Sequence, residues 1–351
     1  MAVKLYVGDA GGIARQVKKL YVGDANGVAR EVKTLYAGDG GGAARKVFEK
    51  APPAPLYQLG KDWWEASVPN TSASSEGCTN IAYGAGRFVA FGTPGSRAVR
   101  YSFDGTTWYD SANALPQTAV GVITQGLRYL DGTFLLAVNA AQIYRSVDGG
   151  VKWSSVTTPK AYCDFALGNG RIVAVGTSGA AYSTDYGKLW TASSNYISGA
   201  KRVAFGGGRF IALGSPLKGG YSTDGVTWTS FDTFSHYCTD LIYAGGKFVA
   251  VSDNSKTIFY SNDGITWFEA INTGTRLKSI AYGDGVYLAT QYASSDTIFC
   301  STDAITWEGI TLPLKATWYG VAFGNHAFVL LADGSTKAPQ ALFSRATGPA
   351  V

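Results

Sequence analysis

Methionine occurs once, histidine twice and cysteine four times in 351 residues, and only 16% of the chain is charged. Two histidines, His236 and His326, and no Cys-x-x-Cys or Cys/His spacing leave nothing to build a zinc set or a histidine-based triad. The expectation is therefore no metal and no cofactor. Cys78, Cys163 and Cys238 fall near one repeat position in non-neighbouring units, and Cys300 lies in a different strand. Cα atoms so placed are too far apart to bridge, so free thiols are expected rather than disulfides. No apolar run approaches the length of a membrane span, which argues against membrane insertion. The opening also lacks the basic and apolar regions of a secretion signal, which predicts a soluble product made in the cytoplasm. The net charge of +5 is uneven: residues 1–50 hold nine Lys/Arg against five Asp/Glu, leaving 21 against 20 in the remaining 301. That near-balance gives no basic surface for nucleic acid.

Glycine is abundant, at 45 residues, and aromatics make up 13%. Many short strands joined by tight turns have this balance. One stretch recurs: Ser261-Asn262-Asp263-Gly264-Ile265-Thr266-Trp267 returns as Ser102-Phe103-Asp104-Gly105-Thr106-Thr107-Trp108 and as Ser222-Thr223-Asp224-Gly225-Val226-Thr227-Trp228. Looser copies centre on Asp148, Asp185 and Asp303, and end at Trp153, Trp190 and Trp307. A short Asp side chain accepts turn N–H groups, Gly tolerates positive φ, and the Trp anchors the next strand. Upstream of each copy stands a two-strand element around a Gly-x-Gly turn, as in Ile81–Gly92. Together they make four strands per unit. Tryptophans 64, 108, 153, 190, 228, 267 and 307 are spaced by 37 to 45 residues, the length of a propeller blade.

The pattern resembles the Asp box of BNR-type β-propellers, the family that includes sialidases, over residues 61–345. The resemblance implies an all-β propeller and makes these aspartates structural turns away from any active centre. There are seven two-strand elements but six boxes, the last unit stopping at Ser344. The prediction is a seven-bladed β-propeller over 61–351, its ring closed by residues 62–68 with Trp64 pairing near Phe343. Closure of that kind removes an exposed sheet edge.

Residues 1–50 repeat with a period of 15: Leu5-Tyr6-Val7-Gly8-Asp9 returns at Leu20-Tyr21-Val22-Gly23-Asp24 and Leu35-Tyr36-Ala37-Gly38-Asp39. Each unit reads as strand, Gly/Asp/Asn turn, strand, a hairpin too small to bury a core of its own, so a partner is expected. These units resemble Lys-Leu-Tyr-Val-Gly repeats of virion structural proteins of tailed bacteriophages. That resemblance implies localisation in the virion and attachment to other virion proteins through this module, with Tyr6, Tyr21 and Tyr36 at the attachment and a homotrimer as one form. Residues 51–60, with Ala51-Pro52-Pro53-Ala54-Pro55, read as a stiff linker.

Loops linking the blades vary, as recognition surfaces do. At the start of the innermost strands they place Tyr162, Asp164, Lys201, Arg202, Tyr237, Asp240, Lys278, Trp318 and Tyr319, mixed aromatics and charges suited to a polar ligand such as a host-surface glycan. Asp164 and Asp240 are the one pair of carboxylates placed for acid/base hydrolysis. A sialidase-like centre would need an arginine cluster, whereas only Arg202 and the peripheral Arg276 are placed for it. The expectation is a propeller without enzymatic activity that binds glycan or another virion protein. A purely architectural decoration protein and a diverged glycoside hydrolase are the alternatives.

Overall fold

The computed structural model describes residues 58–66, 78–92, 99–111, 115, 126–195, 198–214, 219–332 and 341–345, with six strands in the first fifty residues. The chain divides into two compact units, Met1–Leu56 and Tyr57–Val351. In the first unit, Tyr6–Gly8 pairs with Ala14–Gln16, Tyr21–Gly23 with Ala29–Glu31, and Thr34–Gly38 with Ala44–Glu49. The register follows the repeat: Val7 faces Arg15, Val22 faces Arg30 and Ala37 faces Arg45. The side chains of Tyr6, Tyr21 and Tyr36 lie outside the described residues, as does the expected linker up to residue 57.

The second unit is a seven-bladed β-propeller of four-stranded antiparallel sheets. The innermost strands of blades 1 to 7 are Cys78–Gly84, Gly126–Leu130, Asp164–Gly168, Ala200–Gly206, Cys238–Ala244, Leu277–Gly283 and Trp318–Gly324. The second strand of each blade is apolar on both sides of its pleat, as in Phe88-Val89-Ala90-Phe91, where every residue is fully buried. That double-sided burial is what stacking blade on blade requires. Valines, leucines and phenylalanines from adjacent blades fill the clusters between them.

Neighbouring blades are keyed together by a ring laid over a glycine. Tyr129 covers Gly84 so closely that a Cβ there would stand 1.9 Å from the ring. Phe205 covers Gly168, Tyr243 covers Gly206, Phe323 covers Gly283, and Tyr83 covers Gly324 across the closure. Blade 3 carries Leu167 where the others carry a ring, and in place of the glycine blade 2 carries Leu130 and blade 5 carries Ala244. Both leucines pack against the same core cluster. The leucine of blade 2 is thus matched by the leucine of blade 3, while the small Ala244 still packs in one cluster with the ring of Tyr282.

Ring closure follows the sequence reading, with one correction. Trp64–Ala66 forms the outer strand of blade 7, Trp64 opposite Phe343 with ring centroids 5.6 Å apart. The tryptophan equivalent to those of the repeat is nevertheless Trp63. Its Nε1 donates to the Gly60 carbonyl at 2.9 Å, as Trp108 Nε1 donates to the Gly105 carbonyl at 3.2 Å. The Gly60 N–H donates to Ser344 Oγ at 2.7 Å, as the Gly105 N–H donates to Ser102 Oγ at 2.8 Å. A seventh turn is thus assembled from both ends of the ring, serine from one and glycine with tryptophan from the other. Two adjacent tryptophans hid the register, because period-two alternation lets only one of them face the core.

Candidate functional site

The six Ser-x-Asp turns consume their own carboxylates. Asp263 Oδ1 accepts the N–H groups of Ile265 and Thr266, both at 2.8 Å, and the hydroxyl of Ser261 at 3.0 Å. Asp104, Asp148, Asp185, Asp224 and Asp303 repeat the arrangement. For Asp224 and Asp303 the turn N–H groups, led by those of Thr227 and Thr306, hold the carboxyl below its ordinary range. All six are engaged in holding their own turns.

The channel wall is different in kind. One residue per blade, immediately before the first core residue of the inner strand, faces the axis: Asn80, Gly126, Asp164, Arg202, Asp240, Ser279 and Gly320. Six of them line one axial cavity of about 50 Å³, and the seventh, Asp164, is paired to Arg128 within it. Gly126 has no room for a side chain, since a Cβ would meet the Cys163 carbonyl at 2.3 Å. Arg128 of blade 2 crosses that space. Its Nε and Nη2 donate to the two oxygens of Asp164 at 2.8 and 3.1 Å, and Nη2 reaches Asp240 of blade 5 at 3.1 Å. Asp240 also accepts the Ser279 hydroxyl at 2.8 Å and the Ile280 N–H at 3.0 Å. Burial alone would raise the Asp240 carboxyl, but the charges of Arg128 and Arg202 with these hydrogen bonds hold it below the ordinary range. The same two carboxylates press the Arg128 proton affinity upward against its burial.

Asp164 and Asp240 therefore share a guanidinium instead of flanking a scissile bond. They are buried counter-ions, not the acid/base pair or ligand contacts the sequence allowed. Two further expected contacts are corrected. Tyr162 is fully buried beside Trp190 and Phe165, its ring stacked on Trp190 at 6.4 Å. Trp318 is fully buried in the core of blades 6 and 7, where its Nε1 donates to the Ser295 carbonyl at 3.1 Å.

The remaining expected residues come together. Lys201, Arg202, Tyr237 and Lys278 line a cleft of about 380 Å³ between blades 4, 5 and 6, on the face that carries the blade-to-blade links. Tyr319 stands beside it, its ring 5.2 Å from Lys278 Nζ. Sequence reasoning missed Tyr292, Asp253 and Asn254 on the same lining. Tyr292 lies 5.5 Å from Lys278 Nζ and 5.5 Å from the Tyr319 ring. Arg276, just outside, lies 4.4 Å over the Tyr292 ring and grips both oxygens of Asp253 at 2.7 Å. Arg202 is anchored by its Nε to the Thr239 carbonyl and by Nη1 to the Lys201 carbonyl. Burial, reinforced by Arg202, pulls the Lys278 amine down to about 8. Burial raises the thiols of Cys163 and Cys238, which together with Cys300 are free. The side chain of Cys78 lies outside the described residues.

Neither histidine enters the cleft. His236 is stacked on Phe259 at 4.6 Å, and His326 is exposed and paired with Asp284 at 2.7 Å.

No protein-family model matches the chain. No curated protein matches it in sequence. Among solved structures it is similar to virginiamycin B lyase from Staphylococcus aureus, with a TM-score of 0.66 and 16% identity over 81% of this chain and 98% of that one. It is similar to a streptogramin B lyase, TM-score 0.64, at 12% identity over 80% and 96%. It is also similar to YCF48 bound to D1 peptide, TM-score 0.60, at 15% identity over 84% and 96%. At these identities the likeness is one of fold. The lyases nevertheless overturn the expectation of a chain without enzymatic activity: it rested on a missing sialidase-type arginine set, and enzymes of this fold include lyases. The comparisons establish a seven-bladed β-propeller, a fold this chain shares with both enzymes and a peptide-bound protein.

Proposed function

We propose that this propeller binds a host-surface glycan in the cleft between blades 4, 5 and 6, and that the opening hairpin repeats attach it to other proteins of a bacteriophage virion. The observation that carries the binding limb is the cleft itself. Tyr237 offers a ring face, Tyr292 adds an aromatic wall, and Asn254 and the cations of Lys201 and Lys278 offer hydrogen bonds and charge. Rings with convergent polar groups are what sugar recognition uses. Beside it the Arg128 bridge ties blades 2, 3 and 5 together at the axial cavity. The attachment limb rests on the three hairpins of 15-residue period and their resemblance to phage virion repeats.

The test is binding of the whole chain to host-surface polysaccharide, with Tyr237→Ala and Lys278→Gln as variants. Expected is a loss of affinity of tenfold or more in each, from one stacked ring or one charged contact. Unchanged binding in both variants would remove the cleft from the proposal. For the other limb, a chain lacking residues 1–55 should fail to join particles, and normal incorporation would refute attachment through the repeats.

A second reading follows from the lyases among the neighbours together with the Lys278 amine. An amine drawn down to about 8 within a cleft is able to accept a proton near neutral pH. In this reading the cleft also cleaves what it binds. Released sugar in the same incubation, abolished by Lys278→Gln, is the outcome that selects it.

A further inference from the structure

The charge balance of the lining decides what kind of glycan the cleft suits. Lys201, Arg202 and Lys278 come from the starts of blades 4 and 6 and converge on one lining. The only carboxylate on that lining, Asp253, is held by both of its oxygens to Arg276. Asp240, the other carboxylate nearby, is buried below, bonded to Arg128, Ser279 and the Ile280 N–H and offset by the charge of Arg202. Among the described residues no carboxylate stands within ion-pair distance of Lys278; its neighbours are the Tyr292 and Tyr319 rings. Lys201, like Lys278, has no carboxylate within ion-pair distance among the described residues, so these two lysines give the cleft positive charge that its own acids do not neutralise. Opposite it, Tyr237 is 44% exposed, and Asn254 accepts the Tyr237 N–H.

We infer that the cleft takes a uronic-acid sugar, its carboxylate received by Lys201 and Lys278 and its ring laid against Tyr237. This rests on the glycan reading above and narrows it to one ligand chemistry. The arrangement has a consequence that simple stacking lacks. Around Lys278 the charged and titratable groups are Arg202 and Lys201 on blade 4, Asp240, Asp253 and the buried Cys238 thiol on blade 5, Arg276 just before its own strand, and the two tyrosines. Arg202 disfavours the ammonium, and a bound carboxylate would offset that repulsion and raise the amine again. Binding then takes up a proton, and affinity falls as pH rises through about 8.

The test is titration of the full chain with tetragalacturonate and with its fully methyl-esterified form, which keeps the hydroxyls and removes the charge. Expected is at least tenfold tighter binding of the acid, a loss of tenfold or more in Lys278→Gln and in Tyr237→Ala, and weakening between about pH 7 and pH 9. Equal affinity for acid and ester would overturn the uronate inference while leaving the glycan reading in place. Inorganic phosphate binding as tightly as tetragalacturonate would overturn it the other way, marking a bare anion site and removing the glycan reading too. Binding of neither sugar would end both.

Discussion

Two sets of aspartates share this propeller and are used in opposite ways. The six in the Ser-x-Asp turns bond to backbone N–H groups two to four residues ahead of themselves. Asp164 and Asp240 bond instead to a guanidinium from blade 2, 36 and 112 residues away. The first set is repeated because every blade needs the same turn. The second is not repeated, and that is why the channel has a front and a back: blade 2 supplies a cation, blades 3 and 5 the anions, and the cleft opens beside blades 4 to 6. Repetition marks what the fold needs, and departures from it mark what this protein has made its own.

The comparison breaks first at Arg128. Removing it strips the buried Asp164 of its ion-pair partner and leaves Asp240 only the charge of Arg202, and breaking a buried pair costs about 3–5 kcal/mol. Arg128→Ala should lower the free energy of urea unfolding by that amount, whereas Arg128→Met combined with Asp164→Asn and Asp240→Asn should recover most of it. A loss below about 1 kcal/mol in the single variant would mean the bridge is solvated and carries no such weight.

Closure of the ring comes next. Trp63 is buried, and truncating it removes both the apolar anchor and the bond to Gly60. Trp63→Ala should cost about 3 kcal/mol, and Trp64→Ala, with its ring half-buried on Phe343, distinctly less. The reverse order would restore Trp64 as the repeat tryptophan.

Much of this was legible in the chain. The turns, the period and the blade number follow from local patterns, since each turn closes on itself within seven residues. What failed to show was the channel wall. Each blade contributes one axial residue, and its partners lie in other blades, beyond the reach of any local pattern. One signal was present: Arg128 stands where the other blades carry Ala82, Ala166, Ala204, Ile242, Ala281 and Ala322, so a charge occupies an apolar column. Trp318 and Tyr319 make the same point from the other side. Adjacent strand residues point to opposite faces, and here the tryptophan went to the core.

Acid should act on both sets of aspartates with one sign. Asp240 and the six turn carboxylates are all held below their ordinary value of 3.8 in the folded chain. Groups so depressed contribute stability that is present above the unfolded value and is lost as pH falls through the folded one. Urea midpoints should stay level between about pH 5 and 7 and drop below about pH 4. A midpoint that rose on acidification would contradict the hydrogen-bond assignments. Asp263→Ala should show the local share, about 1 kcal/mol, since the freed N–H groups sit at an exposed turn where water replaces the carboxylate.

The smallest effect is expected at the one turn whose glycine is missing. Ala304 occupies the position of Gly105, Gly225 and Gly264, at a φ of 66°. In those three copies a Cβ would stand 2.4 to 2.5 Å from a valine or isoleucine of the preceding blade. In blade 6 the methyl is accommodated, fully buried in a cluster with Val249 of blade 5. Two terms then oppose each other. The left-handed backbone costs alanine about 1 kcal/mol relative to glycine, and the buried methyl returns about 0.8. Ala304→Gly should change stability by no more than about 0.5 kcal/mol, whereas Gly264→Ala, where strain and overlap with Ile211 add, should cost about 2 kcal/mol or more. If the two substitutions cost the same, the spacing between blades 5 and 6 would be no wider than elsewhere, and alanine in that turn would be a strain the propeller merely tolerates.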